Sequence, residues 1–419
     1  MKAARIQQST SGASLAVLRS GLRVALVPCE AESVAVGVFV ESGSRHETER
    51  TTGISHFIEH MLFKGTPTRR PVDITRAIEG RGGNFNAMTG EESTCYYAHM
   101  PSEYLGEAVD ILSDMYLRAT IPDDEFEREK GVVLEEIKMY EDEPDSVAME
   151  NLQRSVFPKS MLGAPVAGSA KSLLPLKPED LRRYIKSHYR ADNTVVVVAG
   201  SFDPAEALRV VSDAFGPLKA GRPAPARSGK PGFGPVVPLV EKRKDVQQAQ
   251  LALGYRTFGI GDGRRYAASV MDALLGRGMS SRLFQEVREK RGLSYDISSR
   301  MMFFQDAGMF TVTAGTDPSK AEKALATVDR EIARLCERGV SAAELARTKE
   351  FLMGNFRLGH ERVKSKLFFY GSMLLSFGRL VAPSEEVERI KSVTREDVKA
   401  VARSVFKKGL RAVSWVLPK

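Results

Sequence analysis

The chain has 419 residues, long enough for two or more domains, each with its own core. With 42% hydrophobic and 27% charged residues it is neither disordered nor collagen-like. The net charge of +8 is the small difference between 61 basic and 53 acidic residues, and it forms no stripe of the kind nucleic-acid binding needs.

No apolar run approaches the ~18–20 residues that span a bilayer, so no membrane span is expected. The stretch up to Pro28 lacks an apolar core of signal-peptide length and reaches a strand-like segment, Leu22 to Val27, early. The expectation is a cytoplasmic or otherwise unexported protein. Cys29, Cys95 and Cys336 are too far apart for a zinc knuckle or redox motif, and read as reduced thiols in packed positions.

Residues 54 to 64, Ile-Ser-His-Phe-Ile-Glu-His-Met-Leu-Phe-Lys, predict a helix stopped at Gly65. At 100° per residue, Ile54, Phe57, Ile58, Met61 and Leu62 share one face, and His56, Glu59 and His60 gather on the opposite one. Histidines four apart project together about 6 Å from each other, a spacing that suits one metal ion. A carboxylate just before the second histidine is placed to take a proton from metal-bound water. The competing reading is a solvated polar face.

Gly82-Gly83 reads as a tight turn before a strand. Residues 123–143 are acid-rich, and most of these acids read as a solvated face. Helical projection sets Glu129 and Glu136 apart, in the middle of a side formed by Phe126, Val132, Val133 and Tyr140, with Glu127, Lys130, Glu135 and Lys138 on the other. A carboxylate on an apolar face needs a partner, and a metal ion, a metal-bound histidine or a buried salt bridge would each serve.

Lys177-Pro-Glu-Asp-Leu opens a helix that precedes the strand Thr194 to Ala199. The Pro/Gly-rich run 216–235 follows and reads as a linker. Beyond it, Gly276 and Gly278 lack the Gly-Lys-[Ser/Thr] ending of a phosphate loop and are assigned to a turn before a helix. By their residue types alone, Arg288 and Tyr295 read as surface charge and core aromatic.

The halves echo each other. Thr394-Arg-Glu-Asp-Val opens a helix before the strand Ala412 to Leu417, and Glu179 and Glu396 stand as far apart as Asp180 and Asp397. Tyr96 to Leu105 and Phe310 to Ser319 each read as a strand feeding a capped helix. The expected fold is α+β, an alternation of strands and helices present twice. The expected domains are 1–215, carrying the candidate metal site, and 236–419, which has only the lone His360.

The sequence resembles the M16 (pitrilysin, or inverzincin) metallopeptidases, most closely the short bacterial relatives of the mitochondrial processing peptidase β subunit. The resemblance runs over essentially the whole chain. It includes Gly21-Leu-Arg-Val, Glu41-Ser-Gly-Ser-Arg-His-Glu, the His-x-x-Glu-His helix through Thr66, and Gly82-Gly-Asn-Phe-Asn-Ala-Met-Thr89. It continues with Glu129-Lys-Gly-Val-Val-Leu-Glu-Glu-Ile, Gly278-Met-Ser-Ser-Arg-Leu-Phe and Leu293-Ser-Tyr.

The resemblance implies two homologous domains, each a mostly antiparallel sheet packed by helices (LuxS/MPP-like), and zinc-dependent endopeptidase activity on extended peptides. It implies that His56, His60 and Glu136 ligate one zinc, that Glu59 is the general base, and that Glu129 orients a ligand. Asn84, Phe85, Asn86, Ala87, Met88 and Thr89 would form the edge strand that pairs with substrate. Arg288 and Tyr295 would bind the substrate and polarise its carbonyl. It further implies a dimer, with a homodimer carrying two composite sites as the expectation. An obligate heterodimer with an inactive homologue, or a non-catalytic assembly subunit, are the alternatives.

Overall fold

The structure is a computed structural model, which describes residues 5–8, 12–221 and 239–419. Two compact units emerge. The first takes the described residues up to Ile137, those from Pro165 to the linker, and Leu358–Pro383. The second takes Lys138–Ala164, the described residues after the linker to Arg357, and Ser384–Lys419.

The first unit is built on β1 (Arg5–Gln8), β2 (Ser14–Val17), β3 (Arg23–Pro28), β4 (Ser33–Val40), β5 (Asn84–Thr89), β6 (Thr94–Pro101) and β7 (Thr194–Gly200). Their order is β1-β2-β3-β7-β4-β6-β5, antiparallel except for the β3–β7 pair. The valine run of β7 is buried throughout, as a central strand covered on both faces should be. One face, with Val24, Val36, Val38 and Val196, packs against the helices Ile54–Leu62, Leu105–Arg118 and Pro204–Ala214. The other, with Ala25, Ala35, Phe39 and Val197, is covered by Leu367, Tyr370 and Leu374 of the helix Val363–Phe377.

The second unit has β8 (Leu239–Arg243), β9 (Ala249–Thr257), β10 (Ser294–Phe303), β11 (Gly308–Thr316) and β12 (Arg411–Pro418). The order β10-β11-β9-β12-β8, with only β12–β8 parallel, reproduces β5-β6-β4-β7-β3 strand for strand. The echoing helices Pro178–His188 and Arg395–Val405 also begin alike. Asp180 accepts from Lys177 N (3.0 Å) and Asp397 from Thr394 N (2.9 Å), satisfying N-terminal backbone donors. Each helix leads into the corresponding strand, β7 or β12.

The units do not follow the halves of the chain. The helix Pro144–Val156, from the first half, covers the second unit's sheet, with Ala148, Leu152 and Val156 against Ala252, Met309 and Ala412. The helix Val363–Phe377, from the second half, covers the first unit's sheet. Both seats are cut the same way. A Cβ on Gly37 of β4 would lie 3.1 Å from Leu367, and one on Gly254 of β9 would lie 3.0 Å from Leu152. Each glycine makes room for a leucine of the covering helix.

Most of the 216–235 linker lies outside the described residues. Its first residues belong to the first unit: Leu218 is buried in that core, and Lys219 O accepts from Ala191 N at 3.1 Å. Among the described residues no helix is long and apolar enough to cross a membrane.

Candidate metal centre

The helix Ile54–Leu62 presents the two faces its sequence predicts. Ile54, Phe57, Ile58, Met61 and Leu62 are all buried, each side chain contributing about 1.5–3 kcal/mol through the area it removes from water. His56, Glu59 and His60 stay partly accessible on the other face. The helix begins at Gly53, whose φ of +93° and close approach to the Ala167–Gly168 backbone (a Cβ would lie 2.6 Å from Ala167 O) require glycine.

The helix Asp123–Asp142 brings the acids. Phe126, Val133 and Ile137 are buried, and Phe126 meets Phe57 with ring centroids 4.9 Å apart, which lays one helix against the other. Glu129 and Glu136, two turns apart, then face the histidines. His60 Nδ1–H donates to Glu129 Oε1 at 2.8 Å, and Glu136 Oε2 lies 3.4 Å from His60 Nε2 and 3.8 Å from His56 Nε2. One donor atom each from His56, His60 and Glu136 lies within 4.8 Å of the others, so the three could hold a metal ion.

The other side of this helix differs from its projection. Val132 is 48% exposed, whereas Lys130 is buried, its ammonium 4.6 Å from the Phe126 ring centre and paired with Glu127. The ammonium of Lys130 thus lies over the Phe126 ring, a cation–π contact, while it also pairs with Glu127.

The electrostatics suit the roles these groups could take. Burial and the charge of His60 push His56 down to about 4, so at neutral pH its imidazole is uncharged. Burial opposes charging of His60, but the hydrogen bond and charge of Glu129, with Glu136 and Glu59, outweigh it and raise its pKa. Burial would raise Glu129, yet hydrogen bonds from His60 and Lys64 hold it below the usual carboxylate range. Burial raises Glu59, aided by the charge of Glu136 and opposed by a hydrogen bond from Thr89 Oγ1, which moves it toward the range of a general base.

Lys64 and Glu47 escaped the sequence reading. Lys64 Nζ stands 2.5 Å from Glu129 Oε2, a pair formed only where two distant segments meet. Glu47 accepts from Gly53 N (2.7 Å) and Ser55 N (2.8 Å) at the start of the two-histidine helix. Its place inside the quoted Glu41-Ser-Gly-Ser-Arg-His-Glu motif was the available hint. His56 Nδ1 is buried with no hydrogen-bond partner among the described residues.

Strand β5 ends its sheet and pairs only with β6 among the described residues. Asn84, Asn86 and Met88 point outward, while Phe85, Ala87 and Thr89 are half-buried and Phe85 packs on Phe63 behind the strand. Thr89 is thus both the end of the open edge and the partner of Glu59.

Arg288 and Tyr295 belong to the second unit. Arg288 lies in a π-helical turn, Phe284–Glu289, with its guanidinium carbon 5.0 Å from the Tyr295 ring centre. Tyr295, on β10, is 80% exposed, which excludes a core role. Gly278, at φ +81°, forms the expected turn, with Ser281 N donating to Gly278 O. His360, in the first unit, packs on Phe369 and Tyr370.

Two family models match the chain, the insulinase (peptidase family M16) model over residues 23–170 and the peptidase M16 inactive-domain model over residues 175–352. An uncharacterized zinc protease, YmxG, of Bacillus subtilis is 36% identical, covering 89% of this chain and 90% of its own. One from Streptomyces coelicolor is also 36% identical, over 93% and 86%. The crystal structure of a protease from Helicobacter pylori superposes with a TM-score of 0.91 at 22% identity, over 96% of this chain and 99% of that one. Fold and site describe a two-unit α+β protein with an inverted His-x-x-Glu-His helix. The chain belongs to the M16 peptidase family.

Proposed function

We propose that the chain is a zinc-dependent endopeptidase that cuts extended peptides, of the processing type. The observation that carries this is the convergence of His56, His60 and Glu136 donors within 4.8 Å, with Glu59 on the same helix face. Ligands about 2.0–2.2 Å from a tetrahedral zinc would stand about 3.3–3.6 Å from one another, near the 3.4 and 3.8 Å separations found here. Two imidazoles and one carboxylate are also a donor set that leaves a coordination position free.

His56, His60 and Glu136 would hold the ion, while Glu129, anchored by Lys64, fixes the His60 ring through Nδ1. Zinc held by these residues would supply a water acidified toward a pKa of about 7 and a Lewis acid for the carbonyl. Glu59 takes the proton from the attacking water and passes it to the leaving amine. Asn84 to Thr89 accept the peptide as an added strand, through main-chain hydrogen bonds that read extension more than sequence. Arg288 and Tyr295 donate to the substrate carbonyl.

One chain carries both residue sets, which supports a homodimer in which each chain completes the other's site. The test is cleavage of unstructured peptides of roughly 10–30 residues by the wild type and by Glu59→Gln, with bound zinc measured in both. Wild-type cleavage, a variant slowed about 10²–10⁴-fold and equal zinc in both support the reading. Zinc in both and cleavage in neither defeats it.

A further inference from the structure

Glu47 is a carboxylate only 3% exposed, and no basic side chain is among the groups that set its charge state. Burial alone pushes it up to about 7 against the pull of its hydrogen bonds. An unpaired carboxylate in a core is costly, and its position here is specific. Its two oxygens accept separately from Gly53 N and Ser55 N, donors that the first turn of a helix leaves without intrahelical partners. Ser55 adjoins His56. The hydroxyl of Ser55 in turn contacts Tyr184 Oη (3.1 Å), which accepts from Ser42 Oγ (3.2 Å) at the end of β4.

We propose that Glu47 is a positioning residue: by bracketing Gly53 N and Ser55 N it sets the rotation of the helix Ile54–Leu62, and so the direction in which His56, Glu59 and His60 project. A carboxylate gripping two donors one residue apart fixes both the position and the rotation of the first turn. A side-chain atom ~6–7 Å from a helix axis moves about 1 Å for a rotation of about 10°. A misplacement of about 1 Å at reacting groups costs about 10²-fold in rate. The driving force for burying the opposite face is non-directional, so these two hydrogen bonds add a directional constraint to the packing.

This inference rests on the metallopeptidase reading, so its test has an arm independent of activity. The variant is Glu47→Gln in the full chain, of equal size but with an amide NH₂ facing one of the two donors. Expected are a kcat about 10²-fold lower with KM within about threefold, and backbone amide exchange over residues 53–60 of the metal-free protein at least about tenfold faster. Exchange in β7, residues 194–200, should be unchanged. A kcat within about threefold of wild type, unchanged exchange over 53–60, or equal loss of protection in β7 would each overturn the proposal, the last by making Glu47 a general core element. Should the wild type cut no peptide, the peptidase reading fails, and the exchange arm still decides the role of Glu47.

Discussion

At the scale of single residues, the candidate centre divides its charges. His56 is held neutral by burial and its neighbour, while the otherwise similar His60 is pulled toward protonation by Glu129, Glu136 and Glu59. A proton would therefore compete with a metal ion at His60 more than at His56. The sign follows directly. Above the raised His60 pKa both imidazoles are free to bind, and as pH falls through it zinc affinity should drop about tenfold per unit, one proton per ion. Zinc competition against a chelator between pH 5 and 9 measures this. Affinity independent of pH across that window would remove His60 as a ligand.

At the scale of elements, the site depends on how one helix lies against another. Phe126 is the buried contact through which the acidic helix meets Phe57, and Glu129 and Glu136 take their positions from it. Phe126→Ala should cost about 3–5 kcal/mol of stability and weaken zinc binding, although the residue is no ligand. Phe126→Leu should restore most of both. Denaturant unfolding and zinc competition on the two variants check this. An alanine variant that is destabilised but binds zinc normally would show that the acids are positioned by other contacts. The open edge of β5 belongs to this scale too, since Thr89 couples the strand to Glu59.

At the scale of the whole molecule, the exchange of covering helices has a direct consequence. Residues 1–215 alone lack the helix Val363–Phe377, so Ala35, Phe39, Val195 and Val197 would face water. That fragment should bind hydrophobic dyes, aggregate and unfold without a cooperative transition. Circular dichroism melts and dye binding test it; a soluble, cooperatively melting fragment would show the exchanged helix to be dispensable. The proposed homodimer predicts that mixing Glu59→Gln chains with Arg288→Ala chains restores part of the activity. Hybrids proven by mass with no recovery would count against composite sites.

Much of the candidate site was legible in the sequence because it obeys a local rule. The 100° turn of a helix puts His56, Glu59 and His60 on one face whatever surrounds them, and the same rule set Glu129 and Glu136 among apolar neighbours. It failed for Val132 and Lys130, since projection knows the angle of a side chain but not where the neighbouring helix ends. The duplication was legible as well: repeated openings at Lys177 and Thr394 lead into corresponding strands of two sheets with one strand order. Three things were decided only by tertiary structure. They are the reach of Lys64 to Glu129, the capture of Gly53 and Ser55 by Glu47, and the helix each half gives to the other's sheet. Periodicity records which face of an element is apolar. Which distant surface buries that face depends on the shape of both partners, down to the space left by Gly37 for Leu367 and by Gly254 for Leu152.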